Sequence, residues 1–313
     1  MKRIQYQQYG GPEVMRFEDF EPARPGTGEV LVRVRAAAAN PYDWKVRNGE
    51  MKIMTGRKFP RGMGYDFAGV VEAAGQGVVR LNAGDEVLGA AEIKASGAFA
   101  EMVVAAEKGV VKKPAELSFE EAAAIPTIGS AALQALVNKG KLQPGQAVFV
   151  HGCLGGVGRA AVQIALARGA AAVGGSCRPS GMQDARDLGV ATVVEFDYIP
   201  PTLKGQFDIV FDTVGTLPPA TARMLLKSGG HIVDIVPTAG KFVRSVLPGP
   251  YNVVIAQHNA KDLNELARAC AQGTLRLPIA QIVSLNDAIA ALTELERNNK
   301  PRGGKLIITC NWS

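Results

Sequence analysis

A glycine-rich turn at residues 151–158 constrains the fold of this chain more than any other feature. Its sequence, HGCLGGVG, follows the apolar run AVFV at 147–150 and leads into GRAAVQIALARGA, which has helical periodicity. A strand, a glycine turn and a helix in this order are typical of the unit that binds a dinucleotide pyrophosphate, because a helix N-terminus offers unpaired N–H groups. The GxGxxG pattern has a glycine where this chain has Cys153, so the match is a variant. The turn predicts cofactor contacts at Gly155, Gly156, Val157 and Gly158.

The segments after the turn alternate between strand-like and helix-like patterns. Apolar runs with little alternation, such as TVVEF (192–196), DIVFDTVG (208–215) and GGHIVDIV (229–236), suit a parallel sheet that is buried on both faces. We therefore predict a doubly wound α/β domain of the Rossmann type over residues 119–259. Open sheets bind ligands beyond the carboxyl ends of their strands, and the residues after the fourth and fifth predicted strands are Val214, Gly215, Val236 and Pro237.

The end of the second predicted strand indicates which dinucleotide is favoured. NAD-binding sites place a carboxylate there, on the ribose 2′-hydroxyl. This chain instead reads GGSCRPSG over 174–181, and no carboxylate appears before Asp184. Ser176 can donate a hydrogen bond and the planar guanidinium of Arg178 can pair with a 2′-phosphate. We predict NADPH as the cofactor; the alternative is that Arg178 is only a solvated loop cation.

The first 118 residues have a different pattern. Short β-like runs such as EVLVRVRAA, frequent glycines and regular turn signals predict a partly open β-barrel over residues 1–118. The tail, residues 260–313, alternates helix and strand patterns again. We expect it to return to the first domain.

The composition sets further limits. A chain of 313 residues that is 47% hydrophobic can bury large cores and suggests two domains. No apolar run approaches the roughly 20 residues that a membrane span needs, and the N-terminus lacks the apolar core of a signal peptide, so we expect a cytoplasmic protein with no membrane partner. Four cysteines without CxxC spacing argue against a disulfide scaffold or a zinc knuckle. The net charge of +6 is spread along the chain without a basic cluster, so no nucleic-acid partner is predicted.

Several stretches, in order along the chain, resemble the zinc-independent members of the medium-chain dehydrogenase/reductase superfamily, the group that contains quinone oxidoreductases and zeta-crystallin. They are AAAANPYDWKVRNGE (36–50), GYDFAGVV (64–71), GDEVLG (84–89), GAFAEMVV (97–104), AAAIPTIGSAALQAL (122–136), VFVHGCLGGVGRAAVQIA (148–165), FDTVG (211–215) and RGGKLIIT (302–309). The resemblance implies a GroES-like catalytic domain built from both ends of the chain around an inserted Rossmann domain, with the active site in the cleft between them. It also implies that Val214, Gly215, Val236 and Pro237 wall the ribose and nicotinamide.

The resemblance also bears on metal. Zinc-dependent relatives carry a Cys and a His-Glu pair in similar segments. This chain has Asn40 at the place of the Cys, and Tyr65 and Asp66 in the segment of the His-Glu pair, with Tyr65 at the place of the His. An amide and a phenol are poor zinc ligands. The relatives' four-cysteine lobe is missing as well, since only AAEIKAS separates GDEVLG from GAFAEMVV. We predict no metal, and structural roles for the three histidines.

Without a Lewis acid, the cofactor supplies hydride and the protein must orient the acceptor and stabilise the anion that forms. Tyr42 lies where zinc alcohol dehydrogenases have a Ser or Thr of their proton relay, and Tyr65 lies at a former ligand position, so either phenol can donate a hydrogen bond or a proton. Lys45, one helical turn after Tyr42, is expected to lower the tyrosine pKa. The alternative is that both tyrosines only pack and Lys45 is solvated. Asn40 is the candidate for a positional role, because its amide can hydrogen-bond substrate or nicotinamide.

Two further features concern the same segments. Asp43 and Arg47 match the family's NPxDxxxR pattern, and their spacing predicts a structural ion pair on a helix. The family commonly has a Thr near the nicotinamide where this chain has Ala131. Ser130 is the candidate substitute, although it points about one hundred degrees away on a helix.

We conclude from the sequence that the chain is an NADPH-dependent, zinc-independent reductase that transfers hydride to a small molecule, a quinone or an enone. The alternatives are an enoyl-thioester or alkenal double-bond reductase on the same scaffold, or a low-turnover NADPH-binding protein that serves as a redox sensor or adaptor. The apolar segment YNVVIA (251–256) can pair at a sheet edge across a homodimer, as it does in relatives.

Overall fold

The computed structural model describes residues 1–92, 97–236, 238–300 and 302–310. The chain forms two compact units. The first contains Met1–Thr127, His258–Gln272 and the chain from Leu277 onward, and the second contains Ile128–Gln257 and Gly273–Arg276. Both ends of the chain therefore belong to one unit, and the middle of the chain forms the other.

The amino-terminal part of the first unit has the following elements: β1 (Lys2–Tyr6), β2 (Arg16–Asp19), β3 (Glu29–Ala38), α1 (Pro41–Arg47), α2 (Lys52–Thr55), β4 (Arg61–Gly62), β5 (Asp66–Ala74), β6 (Glu86–Ala90), β7 (Met102–Ala106), β8 (Val110–Lys112) and α3 (Phe119–Ala123). Helix α3 begins after Ser118, whose side chain accepts a hydrogen bond from the Glu121 N–H. This helix packs on β3 and β5 of the first unit, so the unit extends past residue 118, where the sequence placed a boundary.

The chain continues with α4 (Pro126–Leu133), a π-helical stretch (Gln134–Lys139), β9 (Ala147–His151), α5 (Gly156–Ala167), β10 (Ala172–Cys177), α6 (Met182–Asp187), β11 (Thr192–Glu195), β12 (Phe207–Asp212), α7 (Pro219–Leu225), β13 (Leu226–Asp234), α8 (Ala239–Val246) and β14 (Tyr251–Val253). It then returns to the first unit through α9 (Ala260–Ala271), β15 (Ile279–Ser284), α10 (Ala288–Asn298) and β16 (Lys305–Thr309).

The second unit is built on a parallel six-stranded sheet. Its strand order is β11-β10-β9-β12-β13-β14, and every neighbouring pair is parallel. Numbered within the unit this is 3-2-1-4-5-6, the order of a doubly wound sheet that binds ligands where the order reverses. The strands β9 and β12 lie at that reversal, and their almost wholly buried sequences explain why no polar alternation is visible in them.

The first unit contains a three-stranded sheet in the order β2-β1-β4 and a seven-stranded sheet in the order β15-β16-β3-β5-β6-β8, with β7 also paired to β3. Strand β3 alternates buried and more exposed residues over most of its length, as expected for a strand with one face on a core. Strand β16 pairs antiparallel with β3, which brings the chain's carboxyl-terminal strand beside Ala36, Ala37 and Ala38. Within the described ranges, no helix combines the length and the apolar character that a bilayer crossing requires.

Candidate functional site

The glycine turn of the second unit has the geometry of an open helix N-terminus. Strand β9 ends at His151, and α5 begins after Gly155, which adopts an extended conformation with φ −67 and ψ 167. Gly155 and Gly156 are exposed, and Val157 is half-buried. Among the described residues, no side chain caps the N-terminus of α5, so its first N–H groups are available to a bound anion.

Gly158 explains why this helix can lie so close to the turn. A Cβ at this residue would lie 2.1 Å from the carbonyl oxygen of Gly152 and 2.9 Å from backbone carbons of Cys153. At Gly155 the nearest such atom would be 3.4 Å away, an ordinary contact. Gly158 is therefore required for packing, whereas Gly155 and Gly156 leave the surface open. The turn fits a dinucleotide pyrophosphate.

The two residues predicted to contact a 2′-phosphate lie in different surroundings. Ser176, in β10, is fully buried, and its hydroxyl lies 2.7 Å from Nδ1 of His151 and accepts a hydrogen bond from the Gly152 N–H at 3.3 Å. Arg178 follows directly after β10 and is exposed. Its side chain makes no hydrogen bond or ion pair with the other residues that the structure describes. Ser176 thus supports the turn from beneath, and only Arg178 presents its side chain to solvent.

His151 links these parts of the second unit. Its ring stacks on Phe196 with centroids 4.3 Å apart, and its Nε2 lies 3.2 Å from Oγ1 of Thr216. Burial lowers the pKa of His151, against the opposing effect of the carboxylates of Asp212 and Asp197. The imidazole is therefore held neutral beneath the turn.

Buried aspartates shape the two turns at the carboxyl ends of β12 and β13. The Oδ1 of Asp212 accepts hydrogen bonds from the Val214 N–H at 3.0 Å and the Gly215 N–H at 2.7 Å. The Oδ1 of Asp234 accepts one from the Val236 N–H at 2.7 Å. Sequence reasoning found the turn residues but missed the aspartates, although each ends an apolar run, DIVFD or HIVD, in which a carboxylate is out of place.

Lys241 connects these two turns. Its Nζ donates to the Gly215 carbonyl oxygen at 2.9 Å and lies 2.6 Å from Oδ2 of Asp234. The predicted contact at Pro237 lies outside the described residues. Ser130 is fully buried, and its hydroxyl has no hydrogen-bond partner among the described residues.

Asn40 is the centre of a buried polar cluster in the first unit. Its Nδ2 donates to Oδ2 of Asp66 at 3.0 Å and to the Ala38 carbonyl oxygen at 3.3 Å. Its Oδ1 accepts from Nζ of Lys305 at 2.5 Å, and its backbone N–H donates to Oδ2 of Asp43 at 2.6 Å, just before α1. The predicted positional role of Asn40 stays a prediction; the structure adds that its amide is held by partners on both sides.

Asp66 and Lys305 complete this cluster. Oδ1 of Asp66 accepts from Oγ1 of Thr127 at 2.6 Å, and Oδ2 accepts from the Thr127 N–H at 3.1 Å. Lys305 also donates to the Ala39 carbonyl oxygen at 2.6 Å. Burial lowers the pKa of Lys305, and the carboxyl groups of Asp66 and Asp43 oppose that shift. Asp66, Thr127 and Lys305 were not selected as site residues; all three lie in stretches that carried the family resemblance, and only their contacts distinguish them from their neighbours.

The two candidate tyrosines pack edge to face. The rings of Tyr42 and Tyr65 are 5.0 Å apart at 63°, with Tyr42 half-buried and Tyr65 4% exposed. Burial, together with the charge of Asp43, raises the pKa of Tyr42 to about 12. The expectation that Lys45 lowers this pKa is therefore wrong, because desolvation exceeds any effect of that lysine. The Tyr42 phenol keeps its proton at neutral pH.

The predicted ion pair on α1 is also wrong. Arg47 is fully buried, but its guanidinium binds both carboxylate oxygens of Glu296 on α10, at 2.8 and 2.7 Å, rather than Asp43. Asp43 turns back to the Asn40 N–H, and burial raises its pKa. The four-residue spacing permits a pair between Asp43 and Arg47, but the tertiary fold brings Glu296 to Arg47, and Glu296 binds it through both carboxylate oxygens.

These residues do not fit a zinc ion. Asn40, Tyr65 and Asp66 offer an amide, a phenol and a carboxylate, and the ammonium of Lys305 already binds the amide oxygen, so a second cation there would be repelled. Among the residues that the structure describes, no group of three or more His, Cys, Asp and Glu side chains is arranged to hold a metal.

Comparisons with known proteins agree with this architecture. Residues 26–115 match the profile "Alcohol dehydrogenase GroES-like domain", and residues 188–308 match the profile "Zinc-binding dehydrogenase". The chain is 32% identical to the quinone oxidoreductase of Pseudomonas aeruginosa over 94% of this chain and 95% of that protein. It is 35% identical to the 2-methylene-furan-3-one reductase of Solanum lycopersicum over 78% of this chain and 65% of that protein.

A solved structure extends the similarity to the whole fold. The quinone oxidoreductase from Coxiella burnetii superposes with a TM-score of 0.88 at 31% identity, covering 99% of each chain. The predicted α/β class, with a GroES-like domain and a Rossmann-type sheet, is confirmed. The family's quinone oxidoreductases use a nicotinamide cofactor and act on a small-molecule acceptor. The chain is an oxidoreductase that belongs to the quinone oxidoreductase group of the medium-chain dehydrogenase/reductase superfamily.

Proposed function

We propose that this protein reduces a quinone or an enone with NADPH, without zinc. The choice of NADPH rests on Arg178, an exposed cation that directly follows β10. No carboxylate occurs between the end of β10 and Asp184. A guanidinium binds a phosphate through paired charged hydrogen bonds, whereas a carboxylate at this place would repel it. When bound, the coenzyme supplies a hydride to the acceptor.

On the coenzyme side, the second unit contributes mainly backbone groups. The open N-terminus of α5, at Gly155, Gly156 and Val157, is assigned to the pyrophosphate. The turns at Val214 and Gly215 and at Val236 are assigned to the ribose and nicotinamide, and Asp212 and Asp234 hold them in shape. Ser176 acts indirectly, by supporting the turn through His151.

On the acceptor side, the first unit contributes side chains. Asn40 orients the acceptor from its fixed position, and Tyr42 donates a hydrogen bond to the oxygen on which negative charge develops. A phenol whose pKa is about 12 stays protonated until that charge forms, so it suits donation rather than abstraction of a proton. Tyr65, with its ring against Tyr42, fixes the ring of the donor.

The likeness to a 2-methylene-furan-3-one reductase supports the enone as a second acceptor class beside the quinone. Steady-state rates with NADPH against a panel of quinones and a panel of 2-enones decide between the two. We expect turnover on at least one panel, unchanged by a zinc chelator. Strong inhibition by the chelator would contradict the zinc-free assignment. Tight NADPH binding with no turnover on either panel would contradict the enzyme and favour a sensor or adaptor.

We also propose a homodimer formed through the edge of the parallel sheet. Strand β14 is the last strand of that sheet, and the neighbouring helix α8 exposes Phe242, Val243 and Val246. An apolar edge strand of this kind pairs readily with a second copy. Sedimentation of the wild-type protein and of a Val243→Asp variant tests this: we expect a dimer that the charge weakens, and a wild-type monomer would refute it.

A further inference from the structure

Lys305 is a buried lysine that the proposed function does not yet use. It is 8% exposed, and its Nζ donates to the Ala39 carbonyl oxygen at 2.6 Å and to Oδ1 of Asn40 at 2.5 Å. A buried ammonium is costly unless its charge is compensated and its protons are bonded. The fold nevertheless places this charge directly against Asn40, beside the carboxyl groups of Asp66 and Asp43.

The chemistry of the partners fixes how the Asn40 amide points. An ammonium can only donate hydrogen bonds and a carboxylate can only accept them. The amide oxygen must therefore face Lys305, and the amide nitrogen must face Asp66. Thr127 in turn holds both oxygens of Asp66. The Asn40 side chain is clamped in one of its two possible orientations by groups that lie 26 and 265 residues away in sequence.

We propose that Lys305 is a positioning residue of the acceptor site, and that it acts through Asn40 by holding the amide in the orientation that the reaction requires. The inference rests on the proposed function in one respect, the placement of Asn40 against the acceptor. It also explains what Asn40 does at the place where zinc-dependent relatives have a ligand Cys. The amide of Asn40 is oriented there by the buried ammonium of Lys305.

The chain offers a matched control in Lys113. This lysine also belongs to the first unit, and its side chain is 4% exposed. Its Nζ donates to the Leu117 carbonyl oxygen at 2.7 Å and lies 3.0 Å from Glu86. Replacing it removes a buried ammonium without touching Asn40. Lys113→Met therefore measures how much stability and activity are lost when a buried ammonium that does not contact Asn40 is removed.

The test compares Lys305→Met, Lys113→Met, Asn40→Ala and the double variant Asn40→Ala/Lys305→Met. We expect Lys305→Met to lower kcat about tenfold or more, with KM for NADPH within about twofold of the wild type. Lys113→Met should lower Tm but leave kcat within about twofold. In the Asn40→Ala background, Lys305→Met should cause little further loss of kcat, because the residue through which it acts is gone. Wild-type kcat in Lys305→Met, or losses that multiply in the double variant, would overturn the proposal.

A second measurement needs neither the Lys305 variant nor turnover. Hydrogen exchange of the Asn40 side-chain amide, assigned in NMR spectra by its disappearance in Asn40→Ala, reports directly on the clamp. We expect slow exchange, in contrast to the exposed side-chain amide of Asn286. Exchange as fast as that of Asn286 would overturn the proposal even if Lys305→Met does not fold. A wild-type enzyme that reduces no acceptor would count against the proposed function alone.

Discussion

The coenzyme turn and the Asn40 cluster are built in opposite ways. The turn is contiguous in sequence, from Gly155 to Gly158, and what it offers a ligand is mostly backbone. The cluster is assembled from side chains at Asn40, Asp66, Thr127 and Lys305, which come from distant segments. A site made of backbone groups is therefore specified by local sequence, whereas a site made of side chains is specified by the fold. Four variants, in order of decreasing expected effect, test this contrast.

The largest effect is expected for Gly158→Ala. A single Cβ would lie 2.1 Å from a backbone oxygen that cannot move without disrupting the turn. We expect loss of detectable NADPH binding and a strongly lowered Tm, measured by coenzyme fluorescence and thermal unfolding. Gly155→Ala is the control, since its Cβ makes only an ordinary contact, and should change Tm by no more than about 2 °C. Equal stability of the two variants would show that the turn does not need close packing.

The next largest effect concerns a contact formed only by the fold. Glu296→Ala leaves the fully buried Arg47 without its carboxylate, and we expect a loss of about 3 kcal/mol in the free energy of unfolding. Glu294→Ala, on the same helix, removes an exposed carboxylate 3.9 Å from Lys300 and should cost no more than about 0.5 kcal/mol. Urea unfolding measures both. Similar losses for the two variants would mean that the buried pair of Arg47 and Glu296 stabilises the fold no more than an exposed ion pair does.

Arg178→Ala is expected to have a smaller, selective effect. Loss of charged hydrogen bonds to a 2′-phosphate should weaken NADPH binding by about 1.5–3 kcal/mol, roughly 10- to 100-fold, and leave NADH binding unchanged. Coenzyme titration of the variant with each nucleotide measures this. Arg186→Ala, another exposed arginine nearby, is the control and should leave NADPH binding nearly unchanged. A loss that is equal for both coenzymes would remove Arg178 from the 2′-phosphate site.

The smallest effect is a pH dependence of stability. Because the pKa of His151 is lowered in the folded protein, the unfolded chain binds this proton more readily. The stabilising contribution of the neutral ring is complete above about pH 6.5 and is lost as pH falls through the folded pKa. In the His151→Gln variant, the free energy of unfolding should therefore fall less between about pH 7.5 and 5.5 than it does in the wild type. A wild-type pH dependence in His151→Gln would contradict the assignment.

Prediction from sequence succeeded where periodicity and local chemistry decide the outcome. The strand, turn and helix around Gly155 and the buried strands β9 and β12 were predicted from apolar runs and glycine spacing. Prediction failed where a distant group outcompetes a local one. Arg47 binds Glu296 and not Asp43, and burial raises the pKa of Tyr42 although Lys45 follows three residues later in the sequence. Neither result is visible in spacing, because burial and partner choice are set by packing.

The candidate site shows the same division. Arg178 could be selected from sequence because it directly follows the second predicted strand, where the type of side chain bears on the choice of coenzyme; its contact with a 2′-phosphate stays a prediction. Ser176, two residues earlier, was selected because its hydroxyl can donate a hydrogen bond. It is fully buried, and that hydroxyl lies 2.7 Å from Nδ1 of His151, the residue with which Ser176 pairs on β9. Lys305 could not be selected, since a lysine at the start of an apolar strand usually lies in solvent. Only the pairing of β16 with β3 brings it to Asn40.

The coenzyme preference of the wild-type enzyme shows whether Arg178 selects NADPH. It is measured as the ratio of kcat/KM for NADPH to kcat/KM for NADH, with one acceptor at a fixed saturating concentration. We expect a ratio of about 10 or more, because only NADPH carries the 2′-phosphate that Arg178 is proposed to bind. A ratio of one or below would contradict it.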